Sequence, residues 1–222
     1  MKKEEIKALI LDIGGVLQIS KQQERIIKDK NLKKSQNCNH MHKGVHEYIS
    51  EKLKISLDQY FDSIDTFYAK SITGEISKKE VLNKIAKNLK ISTKKLKKLF
   101  ISAYKKNFKF NKQLFKQILR FKKKGYKIAI LSDQWHLSKE ALVTKKLIKN
   151  FNPILISCDS GMRKPNPKFY RLILKKMNLP AKNTIFIDNQ EWNIKPAKKI
   201  GMNTILFKNN KQAFKQLFKI LK

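Results

Sequence analysis

The sequence predicts an α/β protein in which a doubly wound parallel sheet is combined with an inserted, all-helical segment. Two observations carry this prediction. Short apolar runs, typical of strands buried on both faces, alternate with amphipathic helical patterns over residues 111–222. Residues 18–110, which follow the first apolar run, show helical patterns only. We therefore expect a core domain formed by residues 1–17 and 111–222, and a helical insertion formed by residues 18–110.

The first predicted strand is the apolar run Ala8–Leu11, which is followed directly by Asp12. Gly14 and Gly15 come two and three residues later. A buried strand that delivers an Asp to its carboxyl end, with flexible backbone behind it, places that side chain where open α/β sheets bind ligands. The same short string is also compatible with an Asp that only caps a turn. This stretch alone leaves both interpretations open.

The insertion is predicted to be helical because its apolar residues recur at three- and four-residue steps. The pattern is interrupted at residues 73–75, which read Thr-Gly-Glu. Ser77, with Glu80 three residues later, then forms a capping-box signature for a new helix. No convincing buried strand is expected within the insertion.

The rest of the core is predicted from apolar runs that alternate with helical patterns. Strands alternating with helices imply right-handed crossovers and a parallel sheet covered on both faces. The predicted strands are 128–131, 154–156, 184–187 and 204–207, and the predicted helices include 137–148, 194–200 and 214–221.

The composition describes a folded protein with an extreme positive charge. The 222 residues are 41% hydrophobic, and 51 Lys and Arg against 17 Asp and Glu give a net charge of +34. This charge favours anionic partners. However, only four of the basic residues are Arg, the residue best suited to phosphate recognition in nucleic acids. Nucleic acid is therefore not the expected partner.

The cysteines and the hydropathy pattern predict a cytoplasmic protein. Cys38 and Cys158 lie far apart in the sequence and form no disulfide framework. No apolar run reaches the roughly 18 residues that a membrane span requires. The amino-terminal residues are too polar and the first apolar run too short for a secretory signal. The sequence does not specify the oligomeric state.

Four short motifs carry a resemblance to a known family. They are Asp12-Ile-Gly-Gly-Val, Leu-Ser132-Asp, Gly-x-x-Lys164-Pro-Asn-Pro and Phe-Ile-Asp188-Asn. In this order and at predicted strand ends, they resemble the haloacid dehalogenase-like (HAD) superfamily of hydrolases. The whole chain is similar to its subfamily IA, whose helical type 1 cap corresponds to the insertion. The resemblance implies a Rossmann-like core with the site at the carboxyl edge of the sheet.

The resemblance also implies a chemistry for each motif residue. Asp12 would be the nucleophile that attacks a phosphoryl group. Mg²⁺ would be held by Asp12, by the backbone carbonyl of Gly14 and by Asp188. Ser132 would hydrogen-bond a phosphoryl oxygen, and Lys164 would supply positive charge. The substrate would be a small phosphorylated metabolite, such as a sugar phosphate, and the intermediate an aspartyl-phosphate.

Two positions depart from the usual family pattern. Gly14 stands where family phosphatases usually carry an Asp that acts as general acid and base, and glycine can do neither. Asn189 stands where a second Asp often follows the metal-binding Asp, so one charge is lost. Asp133, Asn189 and His136 lie close enough in sequence to the motifs to be candidate supporting residues.

Other polar and aromatic residues allow further hypotheses. Cys38, His40, His42 and His46 cluster in the insertion, but their spacing matches no known Zn²⁺ site. His40 or His42 would replace the missing acid if the cap closed with that loop inward. Trp135 and Trp192 are expected to be packing or cap-docking aromatics.

Three functions remain open from the sequence. The first is the Mg²⁺-dependent phosphatase described above. The second is a catalytically weak or inactive module that binds a phosphorylated ligand or a protein, and Gly14 and Asn189 motivate it. The third is a haloacid dehalogenase, which needs no Mg²⁺ and is disfavoured by the retention of Asp188. A phosphonate-cleaving variant would additionally need a cap lysine that forms an imine.

Overall fold

The computed structural model describes residues 5–21, residue 23 and residues 44–221. Cys38, His40 and His42 lie outside the described residues, so the hypotheses that concern them stay untested. The strands of the described part are β1 (Ala8–Leu11), β2 (Gln18–Ser20), β3 (Phe108–Phe110), β4 (Lys127–Ser132), β5 (Ile154–Ile156), β6 (Thr184–Asp188) and β7 (Asn203–Leu206).

Five of these strands form a parallel sheet in the order β5-β4-β1-β6-β7. The central strand is β1, in which Ala8 pairs with Lys127 on one side and with Thr184 on the other. All four side chains of β1 are fully buried, and neighbours such as Leu9 and Ile10 belong to the two different core clusters. Apolar packing on both faces explains the absence of a hydrophobic/polar alternation. The predicted doubly wound parallel sheet is confirmed.

A second, two-stranded sheet stands at the two points where the chain enters and leaves the helical insertion. Strands β2 and β3 pair antiparallel, with Gln18 opposite Phe110 and Ser20 opposite Phe108. The expectation that residues 18–110 contain helices only is therefore wrong at both ends. Each strand is three residues long, which is too short to produce a recognisable period in the sequence.

Between these strands, the described residues of the insertion are helical. Ser56 and Gln59 form a complete capping box at the second helix. At the third helix the Ser77 hydroxyl accepts a hydrogen bond from the Glu80 backbone N–H at 3.2 Å, as the sequence pattern predicts. The proposed domain boundaries themselves stay a prediction. The helices are α1 (Val45–Leu53), α2 (Leu57–Ile72), α3 (Lys78–Asn88) and α4 (Thr93–Asn107).

The core helices follow the predicted alternation, with one correction. The single helix expected over 137–148 is wrong, because the chain breaks at Val143 and a new helix begins after Thr144, whose hydroxyl accepts from the Leu147 N–H. None of the described helices has the length and apolar character needed to cross a membrane. The helices are α5 (Lys112–Lys123), α6 (His136–Leu142), α7 (Lys145–Asn150), α8 (Ser157–Ser160), α9 (Pro167–Met177), α10 (Glu191–Lys199) and α11 (Asn210–Ile220).

The insertion is attached to the core by both polar and steric contacts. The Trp135 indole N–H, directly before α6, donates to the Tyr104 hydroxyl of α4 at 2.8 Å. Glu140 of α6 pairs with Lys97 of α4 at 2.8 Å. Gly74, in the turn after α2, lies so close to the core that a β-carbon there would be 2.8 Å from the Cys158 carbonyl oxygen. These contacts fix the insertion beside the carboxyl edge of the sheet.

Replacing Gly74 with Ala is expected to destabilise the protein by about 2 to 4 kcal/mol. Gly74 has a φ of +72°, and its missing β-carbon would overlap a backbone oxygen that cannot move aside. Gly125→Ala is the matched control, because Gly125 also has a positive φ, +91°, but nothing lies within 4 Å of its β-carbon position. Urea unfolding should show the larger loss for Gly74→Ala. Equal losses would contradict the close approach of the turn to Cys158.

Candidate active site

Four polar side chains meet at the carboxyl edge of the sheet. Asp12 follows β1. Ser132 and Asp188 are the last residues of β4 and β6, the two strands that flank β1. Lys164 reaches the same edge from the loop between α8 and α9. Its Nζ lies 2.6 Å from Asp188 Oδ2 and 3.2 Å from Asp12 Oδ1. The structure thus brings together the four residues that the motifs predict, while their chemical roles stay predictions.

The ammonium group of Lys164 is enclosed, since the residue is only 1% exposed. Burial alone would lower its pKa, but the carboxylates of Asp12, Asp188 and Asp133 outweigh burial and raise the pKa above its ordinary value of 10.5. Lys164 therefore stays protonated and acts as a fixed positive charge between two strand ends. Asp133 also anchors the loop, because its Oδ1 accepts from the Lys164 backbone N–H at 3.0 Å.

Burial raises the pKa of Asp12 from 3.8 to about 7, although Lys164 acts in the opposite direction. Asp188 is completely buried beside it, and burial likewise raises the pKa of Asp133. Three carboxyl groups therefore face one buried ammonium group. When all three are ionised the site carries an excess of negative charge, and a bound cation would compensate it.

Two asparagines add amide groups to this edge. Asn193 donates from Nδ2 to Asp188 Oδ2 at 3.1 Å. The Tyr170 hydroxyl donates to the backbone carbonyl of Asn193 at 2.9 Å. Asn189 packs against Gly15, where a β-carbon would lie 2.3 Å from Nδ2 and where φ is +78°. The Oδ1 atoms of both asparagines are buried without a hydrogen-bond partner. Carboxylate and amide oxygens are ligands that suit Mg²⁺, so these residues fit such an ion.

Nothing in the described part of the chain forms a cluster of three or more His, Cys, Asp or Glu side chains arranged to hold a metal ion. A Mg²⁺ ion at this edge would therefore depend on two carboxylates, those of Asp12 and Asp188, together with backbone carbonyl and amide oxygens. Such a sparse protein contribution is normal for Mg²⁺, which usually keeps several waters and is also bound by substrate phosphate.

Gln134 is a site residue that the sequence did not reveal. It is 6% exposed and its Nε2 donates to Ser132 Oγ at 3.0 Å. The Ser157 hydroxyl holds its backbone, since Oγ accepts from the Gln134 N–H at 3.0 Å and donates to the Gln134 carbonyl at 3.1 Å. A β-carbon on Gly14 would lie 3.9 Å from Gln134 Nε2 and would meet no other described atom within 4 Å outside its chain neighbours.

The two described histidines contact the insertion. His136, a predicted supporting residue, hydrogen-bonds through Nε2 to the Ile76 carbonyl at 3.0 Å, so this nitrogen is engaged by the turn before α3. His46, in α1, hydrogen-bonds through Nδ1 to the Tyr60 hydroxyl at 3.0 Å and packs against Phe61. Neither interaction supplies an acid beside Gly14.

His46 should make the protein less stable in acid. Burial lowers the pKa of His46 below 6.5, against the smaller opposing effects of Glu47 and Asp65, so the folded protein holds the neutral ring. The unfolded chain takes up a proton below pH 6.5, and stability therefore falls as the pH falls, by up to about 1.4 kcal/mol per pH unit. Urea unfolding at pH 7.5 and 5.5 should show a smaller difference for His46→Phe than for the wild type. An equal difference would show that His46 is not the group responsible.

The two tryptophans behave differently. Trp135 is 1% exposed and packs against Phe100 with ring centroids 4.9 Å apart, as expected for a packing aromatic. Trp192, in the first turn of α10, is 62% exposed. Because most of its surface is exposed in the part of the chain that the structure describes, the prediction that Trp192 is a packing aromatic is wrong. A lone aromatic at a helical position gives no indication of which side of the helix is covered.

The fold and the buried carboxylate–lysine group define the class of protein. A model of the haloacid dehalogenase-like hydrolase family matches residues 45–207, well over half of the chain. The chain therefore belongs to this family of hydrolases.

Curated relatives match parts of the chain. A glyceraldehyde 3-phosphate phosphatase from Pyrococcus furiosus is 34% identical over 104 residues, which cover 44% of this chain and 42% of the relative. Bifunctional epoxide hydrolase 2 from Sus scrofa is 30% identical over 117 residues, which cover 50% of this chain and 21% of the relative. The match thus spans less than half the length of either relative.

Solved structures share the fold over nearly the whole chain. A HAD family enzyme from Bacteroides thetaiotaomicron, in a magnesium complex, superposes with a TM-score of 0.67 at 22% identity, covering 97% of this chain and 100% of that one. A HAD-like family hydrolase from Porphyromonas gingivalis gives a TM-score of 0.66 at 14% identity, with 99% of each chain covered. At these identities the likeness establishes the fold.

Proposed function

We propose that this protein is a Mg²⁺-dependent phosphatase that hydrolyses a small phosphorylated metabolite through an aspartyl-phosphate on Asp12. The observation that carries the proposal is the buried group of Asp12, Lys164 and Asp188 at the carboxyl edge of the sheet. Two relatives support it by what their names state. One is the Pyrococcus phosphatase, and the other is the Bacteroides enzyme, which was also solved with magnesium and inorganic phosphate.

In the first step, a carboxylate oxygen of Asp12 attacks the phosphorus atom and the bond from phosphorus to the leaving oxygen breaks. Lys164 and the Ser132 hydroxyl stabilise the negative charge on the phosphoryl oxygens. A Mg²⁺ ion held by Asp12, the Gly14 carbonyl and Asp188 would neutralise further charge on the phosphoryl group. The leaving oxygen departs with the electron pair of the broken bond.

In the second step, water attacks the phosphorus atom and the bond to Asp12 breaks, which releases inorganic phosphate and restores the carboxylate. Gly14 offers no side chain to protonate the leaving group or to deprotonate this water. General acid–base assistance is worth about 10² to 10⁴ in rate. We infer that the site favours substrates with a leaving group of low pKa, because such a group departs without a proton.

The physiological substrate is proposed to be small because the insertion is fixed beside the carboxyl edge of the sheet. Trp135 and Tyr104 join the two parts beside the site, and their hydrogen bond is buried. A net charge of +34 attracts anionic metabolites toward the surface. The charge raises the encounter rate with phosphorylated molecules in general and does not select among them.

The proposed function is tested by hydrolysis of p-nitrophenyl phosphate with Mg²⁺ and with excess chelator. The nitrophenolate leaving group needs little protonation, so Gly14 should limit this reaction least. We expect turnover that depends on Mg²⁺, and formation of a stable complex with beryllium fluoride, an aspartyl-phosphate mimic. Absence of both would contradict the phosphatase proposal.

The binding-module alternative is favoured by Gly14 and makes a different prediction in the same assay. A module of this kind would bind inorganic phosphate or a phosphorylated ligand without turnover of p-nitrophenyl phosphate. A dehalogenase would instead release fluoride from fluoroacetate in the presence of chelator. The three outcomes are mutually distinguishable with one protein preparation.

A further inference from the structure

The carboxamide of Gln134 stands between two features of the site. It donates from Nε2 to Ser132 Oγ at 3.0 Å, and the same nitrogen lies 3.9 Å from the position that a β-carbon on Gly14 would occupy. The residue is 6% exposed, and Ser157 holds its backbone through two hydrogen bonds. This side chain is therefore fixed in the loop.

The bond from Gln134 determines what Ser132 can do. A serine hydroxyl has one proton to donate, whereas an amide NH₂ group can only donate. The Ser132 oxygen must therefore act as acceptor toward Gln134, and its single proton points elsewhere. Ser132 ends β4, which pairs with β1 directly before Asp12. The Ser132 proton is therefore available for a bond at this edge of the sheet.

We propose that Gln134 is a positioning residue that fixes the Ser132 hydroxyl as a hydrogen-bond donor toward the phosphoryl group. This inference rests on the proposed function, because the phosphoryl group would bind at Asp12, beside the strand end that carries Ser132. Without Gln134, the hydroxyl could rotate and present an oxygen lone pair to the phosphoryl oxygens, which repels them. Gln134 thus acts on the phosphoryl group through Ser132.

The absence of a side chain at position 14 is part of the same arrangement. A β-carbon on Gly14 would already be in van der Waals contact with Gln134 Nε2, at 3.9 Å. With glycine at this position, Ser132 is the side chain to which this nitrogen donates.

The test is a double-mutant cycle read out by binding of inorganic phosphate in the presence of Mg²⁺, measured by isothermal titration calorimetry. Ser132→Ala should weaken phosphate binding by about 10- to 100-fold, the range for a hydrogen bond to a charged group. Gln134→Met, which keeps the length of the side chain but removes the donor, should weaken binding by about 3- to 10-fold. In the Ser132→Ala background, Gln134→Met should cause no further loss, because the residue acts through the hydroxyl.

Ser138→Ala is the matched control for loss of a buried hydrogen bond, since the Ser138 hydroxyl, in α6, donates to the Trp135 carbonyl at 3.1 Å. It should lower thermal stability and leave phosphate binding unchanged. The inference is overturned if Gln134→Met behaves like Ser138→Ala, or if it weakens binding equally with and without the Ser132 hydroxyl. Failure of the wild type to bind phosphate would instead overturn the proposed function together with this inference.

Discussion

Asp12→Asn is expected to abolish Mg²⁺-dependent hydrolysis of p-nitrophenyl phosphate, with a fall in kcat of more than about 10³-fold. The carboxamide keeps the shape of the side chain but is a very poor nucleophile, so no aspartyl-phosphate forms. The expected loss is in kcat, because Ser132 and Lys164 would still contact a bound phosphoryl group. Initial rates over a range of substrate concentrations measure this loss directly.

The fold should survive this substitution. In the metal-free protein, burial holds the pKa of Asp12 near 7, above its ordinary value of 3.8. The folded protein therefore binds more protons than the unfolded chain between about pH 4 and 7, and ionised Asp12 costs stability as the pH rises through that window. A neutral Asn avoids this cost, so Asp12→Asn should be at least as stable as the wild type at pH 8 without Mg²⁺.

Asp159→Asn is the matched control, because Asp159 is a partly exposed carboxylate that pairs with Lys139 at 2.6 Å on the surface. It should change neither kcat nor KM by more than about twofold. Retention of Mg²⁺-dependent turnover by Asp12→Asn would show that another group attacks the phosphoryl group. It would remove the aspartyl-phosphate from the proposal.

The positions of the site residues could be predicted because they depend on local sequence and on topology. Asp12 and Asp188 come directly after buried apolar runs, and Ser132 closes a third run. Parallel strands place their carboxyl ends at one edge, so these three side chains had to lie near one another. Lys164 was assigned from the family motif alone, since lysine occurs throughout the chain. The structure distinguishes it by its burial at 1% exposure.

The partners of these residues could not be predicted, because they depend on how the chain turns after each strand. Gln134 reaches Ser132 only because Ser157 holds the loop from a neighbouring strand end. Asn193 returns to Asp188 because α10 begins immediately after β6. Polar residues in such turns have no hydrophobic period, and their contacts are set by three-dimensional packing. The only signal for Asn193 was its place five residues after the buried Asp188, in the first turn of α10.

The sequence was least informative about short elements and side-chain direction. The break at Val143 lies within a continuous helical pattern, so periodicity alone could not locate it. His136 was expected at the site because it closely follows β4. It lies at the start of α6, where its Nε2 hydrogen-bonds the Ile76 carbonyl of the insertion. Proximity in sequence to a strand end fixes the position of the backbone but not the direction of the side chain.

Gly14→Asp is expected to raise the rate for substrates with poor leaving groups. The substituted side chain would have room, because only Gln134 Nε2 lies within 4 Å of its β-carbon, at 3.9 Å, and Gly14 is not among the glycines with a positive φ. A carboxyl group there would supply the general acid for the leaving oxygen and the general base for water. We expect kcat for alkyl phosphates to rise by up to about 10²-fold, the lower end of general acid–base contributions.

The substitution should act selectively on the leaving group. Hydrolysis of p-nitrophenyl phosphate should change by less than alkyl phosphate hydrolysis, so the dependence of log kcat on leaving-group pKa should become shallower. Gly14→Asn is the matched control, since it adds the same volume and a hydrogen-bonding group but cannot transfer a proton. If Asn and Asp give the same profile, the missing acid is already supplied from elsewhere, and Gly14 does not limit the reaction. If only Asp flattens the profile, the range of substrates is limited by the proton that Gly14 cannot provide.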